Sequence, residues 1–147
     1  MGKFTGVLLA SDFDDTLVGD SCVLSPANRA ALEHFTAEGG VFTVSTGRAK
    51  RTFAPYAHTV PINAPVVLSN GAMLYDFSAD RVVVDLPLPA TAAADLTALS
   101  EEMPELGIEC YHGDDVYIHH PNTHTQRHVE RVKTTWTECA LLDMPTP

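Results

Sequence analysis

The chain has 147 residues, 45% of them hydrophobic and 19% charged, which is the make-up of an ordinary globular protein with room for one domain and part of a second. A formal net charge of −10 excludes a nucleic-acid backbone or an anionic membrane as partner, and no apolar run approaches the length of a membrane helix. The three cysteines, Cys22, Cys110 and Cys139, are odd in number and contain no CxxC pair, which argues against a disulfide framework or a zinc ribbon and for a reducing, cytoplasmic setting.

Residues 5–12 (TGVLLASD) form a short apolar run that ends in polar residues, the pattern of a buried parallel strand. The run leads straight into Asp12 without a small-residue cleavage site, so it does not read as a signal peptide. Residues 13–24 are turn-rich. Ser25-Pro26 then opens a helix, with Ser as N-cap and Pro at the first helical position. Ala27, Ala31 and Phe35 recur at helical spacing beside Leu32, and Gly39-Gly40 ends the helix. A second apolar run, Val41–Val44, ends in Ser45-Thr46-Gly47-Arg48, and a short basic helix disturbed by Pro55 is expected over 49–57. A third run, Pro65–Leu68, ends in Ser69-Asn70-Gly71. This alternation predicts an α/β fold with a doubly wound parallel sheet over residues 1–80.

The character changes in residues 81–147. Arg81–Leu88 reads as a half-exposed strand, Pro89 as a break and Ala90–Met103 as a helix. Ile108–Tyr111 and Val116–His120 read as a hairpin around a turn at His112–Asp115. Asn122 caps a further helix expected to run to about Thr137, and Ala140-Leu141-Leu142 reads as one more strand. The whole is a second, open-faced α/β unit with Trp136, Leu141 and Leu142 in its core. His120, His124 and His128 recur every four residues, near His112 and His119. Pro121 puts His120 outside the helix and no H-E-x-x-H arrangement is present, so a solvated face is expected there in preference to a zinc site.

In open α/β sheets the ligand site lies beyond the carboxyl ends of the strands. Three loops therefore converge: Asp12–Thr16, Ser45–Arg48 and Ser69–Gly71. Asp12 and Asp14 are two residues apart, so their carboxylates point to one side. Like charges placed this way need a cation or a shared proton to divide their roles, one as nucleophile and the other as proton carrier.

Asp12-Phe13-Asp14-Asp15-Thr16 resembles the first signature of the haloacid dehalogenase (HAD) superfamily, and Val44-Ser45-Thr46-Gly47-Arg48 resembles the second. The Thr-Gly-Arg form and Ser69-Asn70-Gly71-Ala72 resemble the Cof-type branch, in which an α/β cap is inserted after the third strand. The resemblance implies a HAD-like core over 1–80 and part of a cap over 81–147. It implies Asp12 as nucleophile forming an aspartyl-phosphate, Asp14 as general acid and base, and Mg²⁺ held by the Asp12 carboxylate and the Asp14 carbonyl. Thr16, Thr46, Gly47, Arg48, Asn70 and Gly71 are implied around phosphate and substrate, and the substrate is a small phosphorylated metabolite such as a sugar phosphate.

The same pattern has a lysine and an acidic pair after the cap. Lys3, Lys50 and Lys133 do not occupy the lysine's place, and Gly113-Asp114-Asp115 falls at an expected hairpin turn. The resemblance thus implies a core and a cap that are both incomplete, with weak or no turnover by this chain and exposed sheet edges that leave homo-oligomerisation open. A phosphomutase of the same superfamily and a non-catalytic phosphate-binding fragment are the rival readings.

Overall fold

Short apolar runs pair into strands wherever a neighbour supplies the complementary ladder, and the computed structural model, which describes residues 2–145, divides into two units at Leu86/Pro87. In the first unit β1 (Leu8–Ser11) and β2 (Val41–Val44) run parallel, with Leu8 opposite Val41 and Ser11 opposite Val44. Between them, α1 (Pro26–Ala37) begins as expected: the Ser25 hydroxyl accepts the Asn28 amide at 3.1 Å and Pro26 occupies the first turn. The buried face of α1 differs from the expected stripe. Ala27 and Ala31 are exposed, Leu32 is the buried anchor, and Arg29, Phe35 and Thr36 lie half-buried beside it. Large side chains claim the core-facing side because they remove more apolar area from water.

After β2 the chain forms α2 (Lys50–Phe53), and a 3₁₀ turn at Ala54–Tyr56 containing Pro55 follows it. β3 (Val66–Leu68) joins β2 through a single parallel bridge between Ser45 and Val67. The Thr43 hydroxyl reinforces this junction by donating to the Pro65 carbonyl at 2.6 Å.

The expected all-parallel sheet becomes mixed beyond β3. A tight turn at Ser69–Gly71 reverses the chain into β4 (Met73–Asp76), which is antiparallel to β3, and β5 (Arg81–Asp85) is antiparallel to β4. Residues 81–85, assigned from sequence to the second unit, therefore belong to the first, because their hydrogen-bonding partner is β4.

β1 also departs from expectation. It pairs only with β2 among the described residues, and Val7, Leu8 and Leu9 are 45, 65 and 41% exposed. The core lies instead beneath β2, β3 and the loop after β1, built from Phe13, Val18, Leu32, Phe42, Val44, Phe53, Val66, Leu68 and their neighbours.

In the second unit α3 (Ala92–Glu102) precedes the hairpin of β6 (Ile108–His112) and β7 (Asp115–His119). The turn contracts to Gly113-Asp114, with Gly113 at φ +59°. Asn122 caps α4 (Thr123–Val132) through a capping box with Thr125. This helix stops five residues earlier than expected, at a left-handed Lys133, and frees the chain to form β8 (Thr137–Glu138) parallel to β7. The expected strand at Ala140–Leu142 is a 3₁₀ turn over Leu141–Asp143, in which Leu141 is buried and Leu142 is 71% exposed. Val116, Ile118 and Val129 form this unit's core with Trp136 against them. His128 lies on α4 and meets Glu109 at 2.7 Å, while His119 bonds the buried Ser100 hydroxyl at 3.1 Å. No helix among the described residues is long and apolar enough to cross a membrane.

Candidate active site

The residues singled out from sequence all lie in the first unit, at the carboxyl ends of β1, β2 and β3. Phe13 organises the first loop. Its ring is fully buried, edge-on to Phe53 at 5.2 Å and tilted against Tyr56 at 5.2 Å. With that ring buried, the flanking Asp12 is exposed and Asp14 half-buried. The loop closes where the Leu17 and Val18 amides both donate to the Phe13 carbonyl, and Asp15 takes the left-handed turn position at φ 60°.

The two carboxylates have different surroundings. Asp12 is exposed, and its Oδ2 accepts the Thr16 hydroxyl at 2.9 Å. Asp14 is half-buried and gripped by Arg48: Nε donates to Oδ2 at 2.8 Å and Nη2 to Oδ1 at 2.7 Å. The hydrogen bonds that Arg48 donates to Asp14 outweigh burial and raise the Arg48 pKa, so the guanidinium stays charged. An arginine thus makes the surroundings of the two carboxylates unequal, where sequence reasoning looked to a cation or a shared proton.

Arg48 joins all three loops. Its amide donates to the Thr46 hydroxyl at 3.2 Å, and its carbonyl accepts from the Ser69 amide at 3.0 Å. Thr46 is 4% exposed, its amide donates to the Val67 carbonyl, and its own carbonyl accepts the Asn70 amide at 3.1 Å. Ser45, one residue earlier, is the exposed hydroxyl at the end of β2. Gly47 lies against the Asn70 side chain; a Cβ there would sit 3.0 Å from Asn70 Oδ1. Asn70 itself is left-handed at φ 54°, a conformation that asparagine tolerates. Gly71, at φ +100°, serves the turn into β4 and is not brought to the others by any hydrogen bond described.

Four further residues build the site without having been singled out. Thr52 accepts Arg48 Nη1 through its carbonyl at 3.1 Å, and Cys22 Sγ lies 3.5 Å from Nη2. The rings of Phe13 and Tyr56 lie 5.4 and 5.0 Å from the guanidinium carbon. The one visible clue was an aromatic residue between two aspartates; nothing in the spacing of Cys22, Thr52 or Tyr56 announces them. A groove of about 460 Å³ opens beside the first loop, lined by Asp15, Thr16, Leu17, Val18, Asp20 and Asn28 among others.

The donors suit a hard divalent cation held with much water. They comprise the exposed Asp12 carboxylate and the main-chain carbonyl of Asp14, both oxygen ligands, since the Asp14 carboxylate is occupied by Arg48. Among the described residues no group of three or more His, Cys, Asp or Glu forms a cage.

This arrangement can be set beside known proteins. Pyridoxal phosphate phosphatase YbhA of Escherichia coli is 28% identical over 120 residues, covering 82% of this chain and 44% of the relative. The 5-amino-6-(5-phospho-D-ribitylamino)uracil phosphatase YitU of Bacillus subtilis is 29% identical, covering 80% of this chain and 44% of its own. The chain therefore spans less than half the length of these curated relatives. The fold matches that of a haloacid dehalogenase-like hydrolase from Bacteroides thetaiotaomicron, with a TM-score of 0.75, 21% identity and coverage of 99% of this chain and 56% of that one. It also matches the HAD subclass IIB sugar phosphatase BT4131, with a TM-score of 0.76, 16% identity and coverage of 93 and 54%. The family profile of haloacid dehalogenase-like hydrolases matches residues 9–141, so the chain belongs to that family.

Proposed function

We propose that the chain carries the nucleophile and proton-transfer residues of a Mg²⁺-dependent phosphohydrolase acting on small phosphorylated metabolites such as sugar phosphates. The observation that carries this reading is the asymmetry of the carboxylates: an exposed Asp12 bonded to Thr16, two residues from an Asp14 clamped by Arg48. Asp12 attacks phosphorus, the bond to the leaving oxygen breaks, and an aspartyl-phosphate forms. Asp14 delivers a proton to the leaving oxygen and later takes one from the water that hydrolyses the acyl phosphate. Its pairing with Arg48 suits the second of these roles, in which it acts ionised. Thr46 and Asn70 border the position of the phosphoryl oxygens, with Gly47 allowing close approach, and Thr16 orients Asp12. Mg²⁺ would be held by Asp12 and the Asp14 carbonyl, and when bound it offsets the charge that sets an anionic nucleophile against an anionic phosphate. The relatives' names, which cite phosphorylated pyridoxal, a phosphoribityl compound and sugar phosphates, support a small-metabolite substrate.

A second reading is phosphate binding by this chain without turnover. Phosphate release from an aryl phosphate with and without Mg²⁺, for the wild-type chain and Asp12→Asn, separates the two. Mg²⁺-dependent release that Asp12→Asn abolishes supports hydrolysis. Release that survives Asp12→Asn sinks it, and inorganic phosphate binding with no release supports the binding reading.

A further inference from the structure

An arginine beside a phosphate site ordinarily offers its planar fork to the anion. Arg48 sits among the phosphate-associated motifs, yet its side chain is 4% exposed and every nitrogen of its guanidinium donates within the protein. Two of those bonds form a bidentate pair with the carboxylate of Asp14. A third goes to the Thr52 carbonyl, and the faces of Phe13 and Tyr56 flank the group. To reach a phosphate, Arg48 would have to abandon paired charge-assisted bonds, which are among the strongest polar contacts in a protein, and leave the half-buried Asp14 without that partner.

We propose that Arg48 is a positioning residue: its guanidinium fixes the Asp14 side chain in one orientation and does not bind the phosphate of the substrate. The inference rests on the reading of Asp14 as the proton-transfer group. Two bonds to two carboxylate oxygens define the plane as well as the place of the carboxylate, which a single point charge does not do. Lysine is therefore a poor replacement although it keeps the charge. Among the residues of these three loops, contact with the phosphoryl oxygens then falls to neutral groups, Thr46 and Asn70 among them.

The test has two arms on the full chain. In the first, the Arg48 side-chain Nε–H resonance is followed by ¹⁵N NMR while inorganic phosphate is added to the wild-type protein. A positioning arginine keeps a slowly exchanging Nε–H that phosphate leaves unmoved, and Asp14→Asn makes its exchange fast. A phosphate-induced shift of this resonance as large as that of the Gly47 amide overturns the proposal. In the second arm, Arg48→Lys should lower kcat for an aryl phosphate roughly 100-fold, the scale of a misplacement of about 1 Å, with KM unchanged. In an Asp14→Asn background the same change should add nothing. A raised KM with kcat retained also overturns the proposal. Absence of turnover in the wild-type chain counts against the hydrolase reading alone, because the first arm needs neither catalysis nor an Arg48 variant.

Discussion

Phe13 links the stability of the first unit to the geometry of its site, and truncating it separates the two contributions. The side chain is fully buried, packs on Phe53 and Tyr56 and lies under the Arg48 guanidinium. Phe13→Ala removes a whole ring from a closed site, and such changes cost about 3–5 kcal/mol. A domain holds only about 5–15 kcal/mol in total, so the loss is a large share of its stability. With a urea m-value of about 2 kcal/mol/M, the unfolding midpoint should fall by about 2 M. Phe13→Leu keeps most of the volume and forfeits mainly the aromatic contacts, about 1 kcal/mol. Far-UV circular dichroism is the appropriate probe, because the sole tryptophan, Trp136, lies in the second unit. A midpoint shift below about 0.5 M for Phe13→Ala, with m unchanged, would refute the view that this ring anchors the Asp12–Asp14 loop.

Gly47→Ala places a Cβ 3.0 Å from Asn70 Oδ1, so Asn70 must shift; stability should change by less than about 1 kcal/mol while inorganic phosphate binding weakens, as isothermal titration would show. In the second unit Tyr111 is 42% exposed, and partial desolvation first and the hydrogen bond it donates to Glu109 second raise its pKa above the usual tyrosine range. The folded state thus favours the neutral phenol, a preference that stabilises fully below the ordinary tyrosine value of about 10 and is lost as pH rises through the higher folded value. Tyr111→Phe should flatten the loss of stability above about pH 10, and an unchanged alkaline slope in a pH series of urea melts would contradict this. On β1, Leu8 is 65% exposed, so Leu8→Lys should leave the urea midpoint almost unmoved and reduce aggregation measured by light scattering. A destabilisation above about 1.5 kcal/mol would show that Leu8 is in fact buried.

Local signals were readable wherever the responsible atoms are close in sequence. Ser25-Pro26 announces α1 because a hydroxyl and a fixed φ satisfy a helix start within three residues, and Asn122 announces α4 in the same way. Asp12, Asp14 and Thr16 stand out because a short loop at a strand end puts them together, and Thr16 does bond Asp12. The length of α4 was misjudged because its left-handed stop is a lysine, Lys133, in place of the usual glycine.

The amino-acid order by itself determined the strands β1, β2 and β3, the starts of α1 and α4, and the β6–β7 hairpin, that three polar loops follow three apolar runs, and which family signatures those loops carry. These follow from periodicity, capping and short-range spacing. Only the tertiary structure decided that β5 joins the first unit, since strand pairing depends on a partner and β4 was not recognised as one. It decided that β1 lies exposed, because burial depends on what covers a strand and not on how apolar it is. It also decided that Arg48 faces Asp14, a residue 34 positions away. A guanidinium at the end of a strand has no preferred partner until the chain around it has folded.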